Sequence, residues 1–188
     1  MRIISGSLGG RKFTEKVGEG VRPTSDMVRE SIFDKLSYMI DFEGIAVADI
    51  CAGTGAMGIE AISRGAAYCC FVDSSRKSCN YISSALREFK VEKSQYEILL
   101  RKAETAPKYF RESSPTLQFD LIITDPPYAK NIINGMLCHI AELNLLAPDG
   151  VIVAEYSSTG GIAIPPEFAL KDTRKFGETA VSYIINAK

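Results

Sequence analysis

The chain has a single histidine, His139, in 188 residues, and its five cysteines include no C-x-x-C pair. A zinc site draws on several imidazole and thiolate ligands at close spacing. No metal is therefore expected, and His139, beside Cys138 on a presumptive helix, reads as a packing or surface residue. Cys51, Cys69, Cys70, Cys79 and Cys138 form an odd set with three members in apolar surroundings, which fits a reduced, cytoplasmic protein rather than a disulfide framework. Also missing are a signal-peptide pattern, an apolar run near membrane-spanning length, an internal repeat and a low-complexity tract. Neither sign of charge dominates: 22 Lys and Arg stand against 23 Asp and Glu, for a net charge of −1. No global field advertises nucleic acid, although a local basic patch can still supply phosphate contacts.

What is present is alternation. From residue 45 the pattern predicts strand 45–50, helix 56–64, strand 67–72, helix 75–89, strand 95–100, helix 103–112, strand 119–124, helix 131–144 and strand 150–156. Such a succession implies an α/β fold with a mainly parallel sheet. The tail departs from it, with runs 167–173 and 179–185 joined through Lys175-Phe176-Gly177-Glu178, which suits a hairpin at the sheet edge. Upstream, Arg2-Ile3-Ile4-Ser5 and Arg11-Lys12-Phe13-Thr14 around Leu8-Gly9-Gly10 read as a β-hairpin outside the main sheet. Thr24 or Ser25 can cap a helix whose face is Val28, Ile32 and Leu36, with Arg29 on another face. The expected organisation is one domain over 1–188, with a hairpin appendage at 1–20 and a helical segment at 21–44.

The run Ile45-Ala46-Val47-Ala48-Asp49-Ile50 opens into Cys51-Ala52-Gly53-Thr54-Gly55-Ala56-Met57-Gly58 and then a helical pattern stopped at Gly65. Strand, glycine loop and helix N-terminus make a nucleotide-binding unit. Asp73 ends the next strand, where a carboxylate can accept two ribose hydroxyls. Gly53-x-Gly55-x-x-Gly58 with an acid about twenty residues on also satisfies the dinucleotide fingerprint, so the pattern alone fits a nicotinamide or flavin as well as S-adenosylmethionine. Asp49 favours the latter, because a carboxylate against the loop can receive an ammonium and would repel a pyrophosphate. Asp49 could also be a structural residue that bonds loop amides.

The later strand Phe119–Thr124 ends in Asp125-Pro126-Pro127-Tyr128. Proline lacks an N–H and has a fixed φ, so this turn offers acceptors only: the Asp125 carboxylate and the Pro126 carbonyl. A planar exocyclic amine is the matching donor, and Tyr128 offers a face for a base to stack on. A rigid turn after a buried strand would carry the same residues. Through position 29 the chain holds six basic residues, Arg2, Arg11, Lys12, Lys16, Arg22 and Arg29, against Glu15, Glu19 and Asp26. That excess is a candidate RNA surface or an ordinary solvated one.

With these residues assembled, the chain resembles the RsmD family of bacterial small-subunit rRNA methyltransferases over nearly its whole length. The carriers are Met1-Arg2-Ile3-Ile4-Ser5-Gly6, Arg22-Pro23-Thr24-Ser25-Asp26-Met27-Val28-Arg29-Glu30, the block Ala52 to Ala66, Asp125-Pro126-Pro127-Tyr128, Leu146-Ala147-Pro148-Asp149-Gly150 and Phe176-Gly177-Glu178-Thr179-Ala180. The resemblance implies a Rossmann-like class I sheet of seven strands with the last antiparallel. It also implies S-adenosylmethionine as cofactor and N2 of a guanine in 16S rRNA as acceptor, within the small subunit or its precursor. No membrane and no metal are expected, and the chain should act as a monomer. Family roles carry onto Asp49, Gly53 and Gly55 for the methionine part of the cofactor and onto Asp73 for its ribose, with Cys51, Ala52, Thr54, Gly58 and Ser74 as further cofactor-binding positions. Ala103 and Glu104 fall near the adenine, and Asp125 to Tyr128 at the target base, with Asp125 also near the cofactor. Arg2, Arg11, Lys12, Arg22, Thr24 and Arg29 are the implied RNA contacts. Cys51, Asp73 and Lys102 depart from the family's common residues, and Lys102 leaves Glu104 or a backbone carbonyl to read the adenine.

Overall fold

A computed structural model of the chain describes residues 1–15, 25–126 and 132–187. Seven strands form one sheet: β1 (Ala46–Ile50), β2 (Tyr68–Asp73), β3 (Tyr96–Leu100), β4 (Phe119–Thr124), β5 (Leu146–Ser157), β6 (Phe168–Phe176) and β7 (Thr179–Asn186). Their order is β3-β2-β1-β4-β5-β7-β6. β1 to β5 are parallel, and β7 runs antiparallel between β5 and β6. The strand order reverses between β1 and β4, the position where open α/β sheets leave a crevice beyond their carboxyl ends.

The strands alternate two buried sets, as side chains on a pleat must. Val47, Phe71, Leu121, Ile123, Val151 and Val153 share a core with α1 (Asp26–Leu36), α2 (Ala56–Ser63) and α3 (Arg76–Glu88). Ala48, Cys70, Ile122, Ile152 and Ala154 share the other with α4 (Ala106–Ser113) and α5 (Ile132–Glu142). Both faces are covered, which explains why the central strands read as nearly continuous apolar runs.

Two elements differ from the sequence expectation. The helix expected over 103–112 starts as a 3-10 turn, Ala103–Thr105, before α4; Pro107, with no N–H to donate, sits in the first turn of α4, where none is needed. The fifth strand begins at Leu146 rather than 150, because Phe119 pairs with Leu146 before the register shifts to Leu121 with Val151. At the other end, Ser25 is the cap of α1, its side chain accepting from Val28 N at 3.3 Å.

Residues 1–13 double back through one antiparallel bridge, Arg2 with Lys12, outside the sheet. Ile3 and Phe13 plug into the α1–α3 core, and the segment is fastened to α2. The wholly buried Glu60 accepts from Ile4 N (2.8 Å), Ser5 N (3.0 Å) and Arg64 Nε (2.9 Å), while Ser63 Oγ accepts from Leu8 N at 3.0 Å. A Cβ on Gly6, at φ 80°, would overlap the Ser63 carbonyl, so close approach as well as backbone sign requires glycine there.

Candidate active site

Four carboxylates gather because of the period-two alternation. On β1, β2, β4 and β5, the residues that face α1–α3 continue as Val47-x-Asp49, Phe71-x-Asp73, Ile123-x-Asp125 and Val153-x-Glu155, so each row of apolar side chains ends in an acid on the same face. The pairings Ile50 with Val72, Ile50 with Thr124 and Thr124 with Ala154 bring Asp73, Asp125 and Glu155 to one level, with Asp49 one pleat below. All four line a single cleft of about 740 Å³, within the range of small-molecule and cofactor sites.

Asp49 is 3 % exposed and its Oδ2 accepts from Gly58 N at 2.9 Å. Its pKa is raised from 3.8 to about 7: burial lifts it, the Gly58 N–H opposes, and the charges of Asp73 and Asp125 add to the rise. A nearby cation favours the ionised form of a carboxyl in that condition. Asp73 Oδ2 accepts from Gly53 N (2.8 Å) and its Oδ1 from Ser75 N (2.8 Å), which fixes the group. An ionised carboxylate has about four acceptor sites, so two bonded amides leave capacity for two hydroxyls. Gly53 and Gly55 are left-handed, at φ 54° and 71°, as is the non-glycine Cys51 at 65°. Burial, then the surrounding carboxylates, pushes the Cys51 thiol up to about 12, which disqualifies it as a thiolate nucleophile.

Gly58 has another task. A Cβ there would run into the Phe71 ring and stand 2.6 Å from Cys69 Sγ, so this glycine lets α2 lie against β2. Gly55 is the cap residue of α2. Neither lines the cleft itself, whereas Cys51, Ala52, Gly53, Thr54, Ser74, Ala103 and Pro126 do.

The family model described as conserved hypothetical protein 95 matches residues 1–185. The chain belongs to this family, the RsmD family. It is 37% identical over 156 residues to the putative rRNA methyltransferase YlbH of Bacillus subtilis, covering 83% of this chain and 82% of that one. It is 29% identical to the ribosomal RNA small subunit methyltransferase D of Haemophilus influenzae, covering 97% and 91%. Among solved structures, the putative methyltransferase yhhF from Escherichia coli superposes with a TM-score of 0.82 at 22% identity, over 99% of this chain and 97% of that one. SMU.776, a putative methyltransferase complexed with SAH, gives 0.65 at 17% over 84% and 48%. The fold is the Rossmann-like class I methyltransferase sheet.

Several residues assigned by RsmD resemblance stand elsewhere than expected. Arg29 is 1 % exposed: its Nη2 donates to the Arg2 carbonyl and to Asp26 Oδ1 at 3.0 Å. The buried face of α1 is Arg29, Ile32, Phe33 and Leu36, so Arg29 ties α1 to the N-terminal segment and is corrected from an RNA contact to an internal tether. Arg11 is surface-exposed, but its guanidinium donates to Phe89 O (2.9 Å) and Glu88 O (3.0 Å), closing the C-terminus of α3. Arg2 and Lys12 are exposed. Glu104 is exposed and Ala103, not Glu104, is in the cleft lining, although the Glu104 charge acts on the Cys51 thiol there. Arg22, Thr24, Pro127 and Tyr128 lie outside the described residues.

The cleft also contains residues to which the sequence assigned no site role: Ser25, Phe176 and Thr179, which belong to the family motifs, and Arg101 and Glu155, which belong to none. Arg101 donates its backbone N–H to Asp73 O at 2.9 Å and lays its guanidinium over the Tyr109 ring at 4.3 Å. Glu155 had a signal in the sequence, the same period-two spacing that ends in Asp125. Among the described residues, no helix is long and apolar enough to cross a membrane, and no group of three His, Cys, Asp or Glu side chains is placed to hold a metal ion.

Proposed function

We propose that this chain transfers the methyl group of S-adenosylmethionine to the exocyclic N2 of a guanine in 16S rRNA, within the small subunit or a precursor of it, acting as a cytoplasmic monomer. The observation that carries the reading is the placement of Asp49 and Asp125 on one face of adjacent strands, in one cleft. A cationic amino-acid tail and a planar amine can both be held there, with the reacting centres between them. The donor set fits the cofactor. Asp49 is a buried carboxyl suited to an ammonium, Asp73 has acceptor capacity for a ribose, and the glycine loop lets the backbone pass close. A pyrophosphate would meet the charges of Asp49, Asp73 and Asp125, which disfavours a dinucleotide. The names of the relatives, rRNA methyltransferases, support the acceptor class.

When bound, the cofactor supplies an electrophilic methyl group. The protein's own part is placement, which is worth several powers of ten when reactants are held at contact distance. Asp125 accepts a hydrogen bond from the amine, turns its nitrogen toward the methyl carbon, and can take the proton released. Pro126 lines the same wall, and Tyr128 is assigned the stacking face on the strength of the sequence motif. The base must leave its stack to reach the cleft. Arg2 and Lys12, exposed on the segment that Glu60 fastens to α2, are assigned phosphate contacts.

The test is incubation with isotopically labelled methyl donor and either naked 16S rRNA or small-subunit particles lacking the modification, followed by mass analysis of nucleosides. N2-methylguanosine is expected, in particles above all. Label in adenine, in cytosine or in a protein amide instead would overturn the guanine assignment, and label in none of them would overturn methyl transfer.

A further inference from the structure

The cleft extends beyond the residues assigned to the cofactor. Its other half lies over β4, β5 and β7 and is walled by Val28, Ile32, Val153 and Phe176, with Glu155 and Thr179 as polar members. This wall is fastened from behind. Arg174 Nη1 donates to Ser31 Oγ at 3.1 Å, and Lys35 Nζ pairs with Asp172 Oδ2 at 2.9 Å, linking α1 to β6. Apolar surfaces around one or two polar groups suit a flat heterocycle read at its edge.

The register makes the edge-reading specific. Thr124 pairs with Ala154, so Asp125 and Glu155 follow at the same level on neighbouring strands, about 5 Å apart along the hydrogen-bonding direction. Both face α1–α3. Two carboxylates side by side are acceptors for two donors side by side. Guanine presents such a pair, its N2 amine next to the ring N1–H. Adenine presents an amine next to an N1 lone pair, and cytosine an amine next to an N3 lone pair, so for either base a second carboxylate would face an acceptor.

We propose that the α1–β5–β7 half of the cleft is the acceptor-base subsite, and that Glu155 selects guanine there by accepting the ring N1–H beside the amine held at Asp125. This rests on the methyl transfer proposed above. An ionised carboxylate opposite a lone pair excludes the competing bases by repulsion as well as by a missing bond. Other hydrogen bonds to Glu155 are compatible with this role, since its carboxylate has about four acceptor sites.

The test replaces the target guanine with 2-aminopurine, which keeps the N2 amine but has a lone pair at N1, in the RNA or particle found to be methylated. Kinetics are compared for wild type and Glu155→Gln, and S-adenosylhomocysteine binding serves as the check on folding. Wild type should prefer guanine by at least about tenfold, the discrimination typical of one well-formed base contact. Glu155→Gln, whose amide can donate to the N1 lone pair, should bring the ratio to within about threefold, with cofactor-product binding unchanged. Equal use of guanine and 2-aminopurine by wild type would overturn the subsite while leaving methyl transfer intact, and so would an unchanged ratio in Glu155→Gln. Failure of wild type to methylate the guanine substrate would remove the reading beneath it as well.

Discussion

Changing Asp49 to Asn removes a carboxyl that, in the ligand-free protein, keeps its proton to about pH 7. In the unfolded chain the same group ionises near its ordinary pKa of about 3.9. Between those values the folded state binds more protons, so this group's contribution to stability falls as pH rises from about 4 to 7. The full difference of about three pKa units corresponds to at most about 4 kcal/mol. An ammonium placed beside Asp49 reverses the preference and favours the carboxylate. Binding S-adenosylhomocysteine should therefore expel a proton: with a pKa of about 7, about 0.9 proton at pH 6, 0.5 at pH 7 and 0.1 at pH 8. Calorimetric titrations in two buffers of different ionisation enthalpy read that number directly. Asp49→Asn should abolish the release, weaken binding, and make the ligand-free protein more stable at pH 8. Proton release that persists in the Asn variant, or none from wild type at pH 6, would refute the assignment of the ammonium to Asp49.

Gly58→Ala should destabilise the protein by about 3 kcal/mol, because the added methyl must displace the Phe71 ring or the Cys69 sulfur in a packed interface; thermal or denaturant unfolding measures it. Glu60→Gln turns one of two acceptor oxygens into a donor facing a backbone N–H, at a cost of about 1–3 kcal/mol, and hydrogen exchange at Ile4 or Ser5 should accelerate while β1 and β4 stay protected. Arg29→Met should lower the unfolding midpoint, whereas Arg2→Ala and Lys12→Ala should leave it unchanged and weaken RNA binding with a shallower salt dependence. Brief alkylation at pH 8 should mark the exposed Cys138 first and leave Cys51 unmodified in spite of its place in the cleft, since a thiol held at about pKa 12 is ionised only to about one part in ten thousand.

Much of the frame was legible because it rests on local repetition. The apolar runs that hold or precede Asp49, Asp73 and Asp125 became β1, β2 and β4, while of the expected connection Lys175 to Glu178 only Gly177-Glu178 is the turn, since β6 stays paired with β7 through Phe176. The sequence also put Asp49 to two uses, an ammonium receiver and a bonder of loop amides. The bond to Gly58 N is present, and it occupies only part of the carboxylate's acceptor capacity. What escaped notice depends on contacts between distant segments. Arg29 was counted with the basic surface because charge is visible in a sequence and burial is not; its partner, the Arg2 carbonyl, is 27 residues away. Ser25, Arg101 and Phe176 reach the cleft from three separate elements with no shared motif. Glu104, placed near the adenine by the family resemblance alone, is exposed on the 3-10 turn, and its charge still acts on the Cys51 thiol of the cleft.

The central claim, that Asp125 holds the acceptor amine while the cofactor is bound independently beside it, is tested most directly by Asp125→Ala. S-adenosylhomocysteine affinity and methyl incorporation into small-subunit particles should be measured on the same preparation. The account predicts affinity within about threefold of wild type and incorporation reduced by at least about a hundredfold. Near-wild-type incorporation, with binding intact, would contradict it.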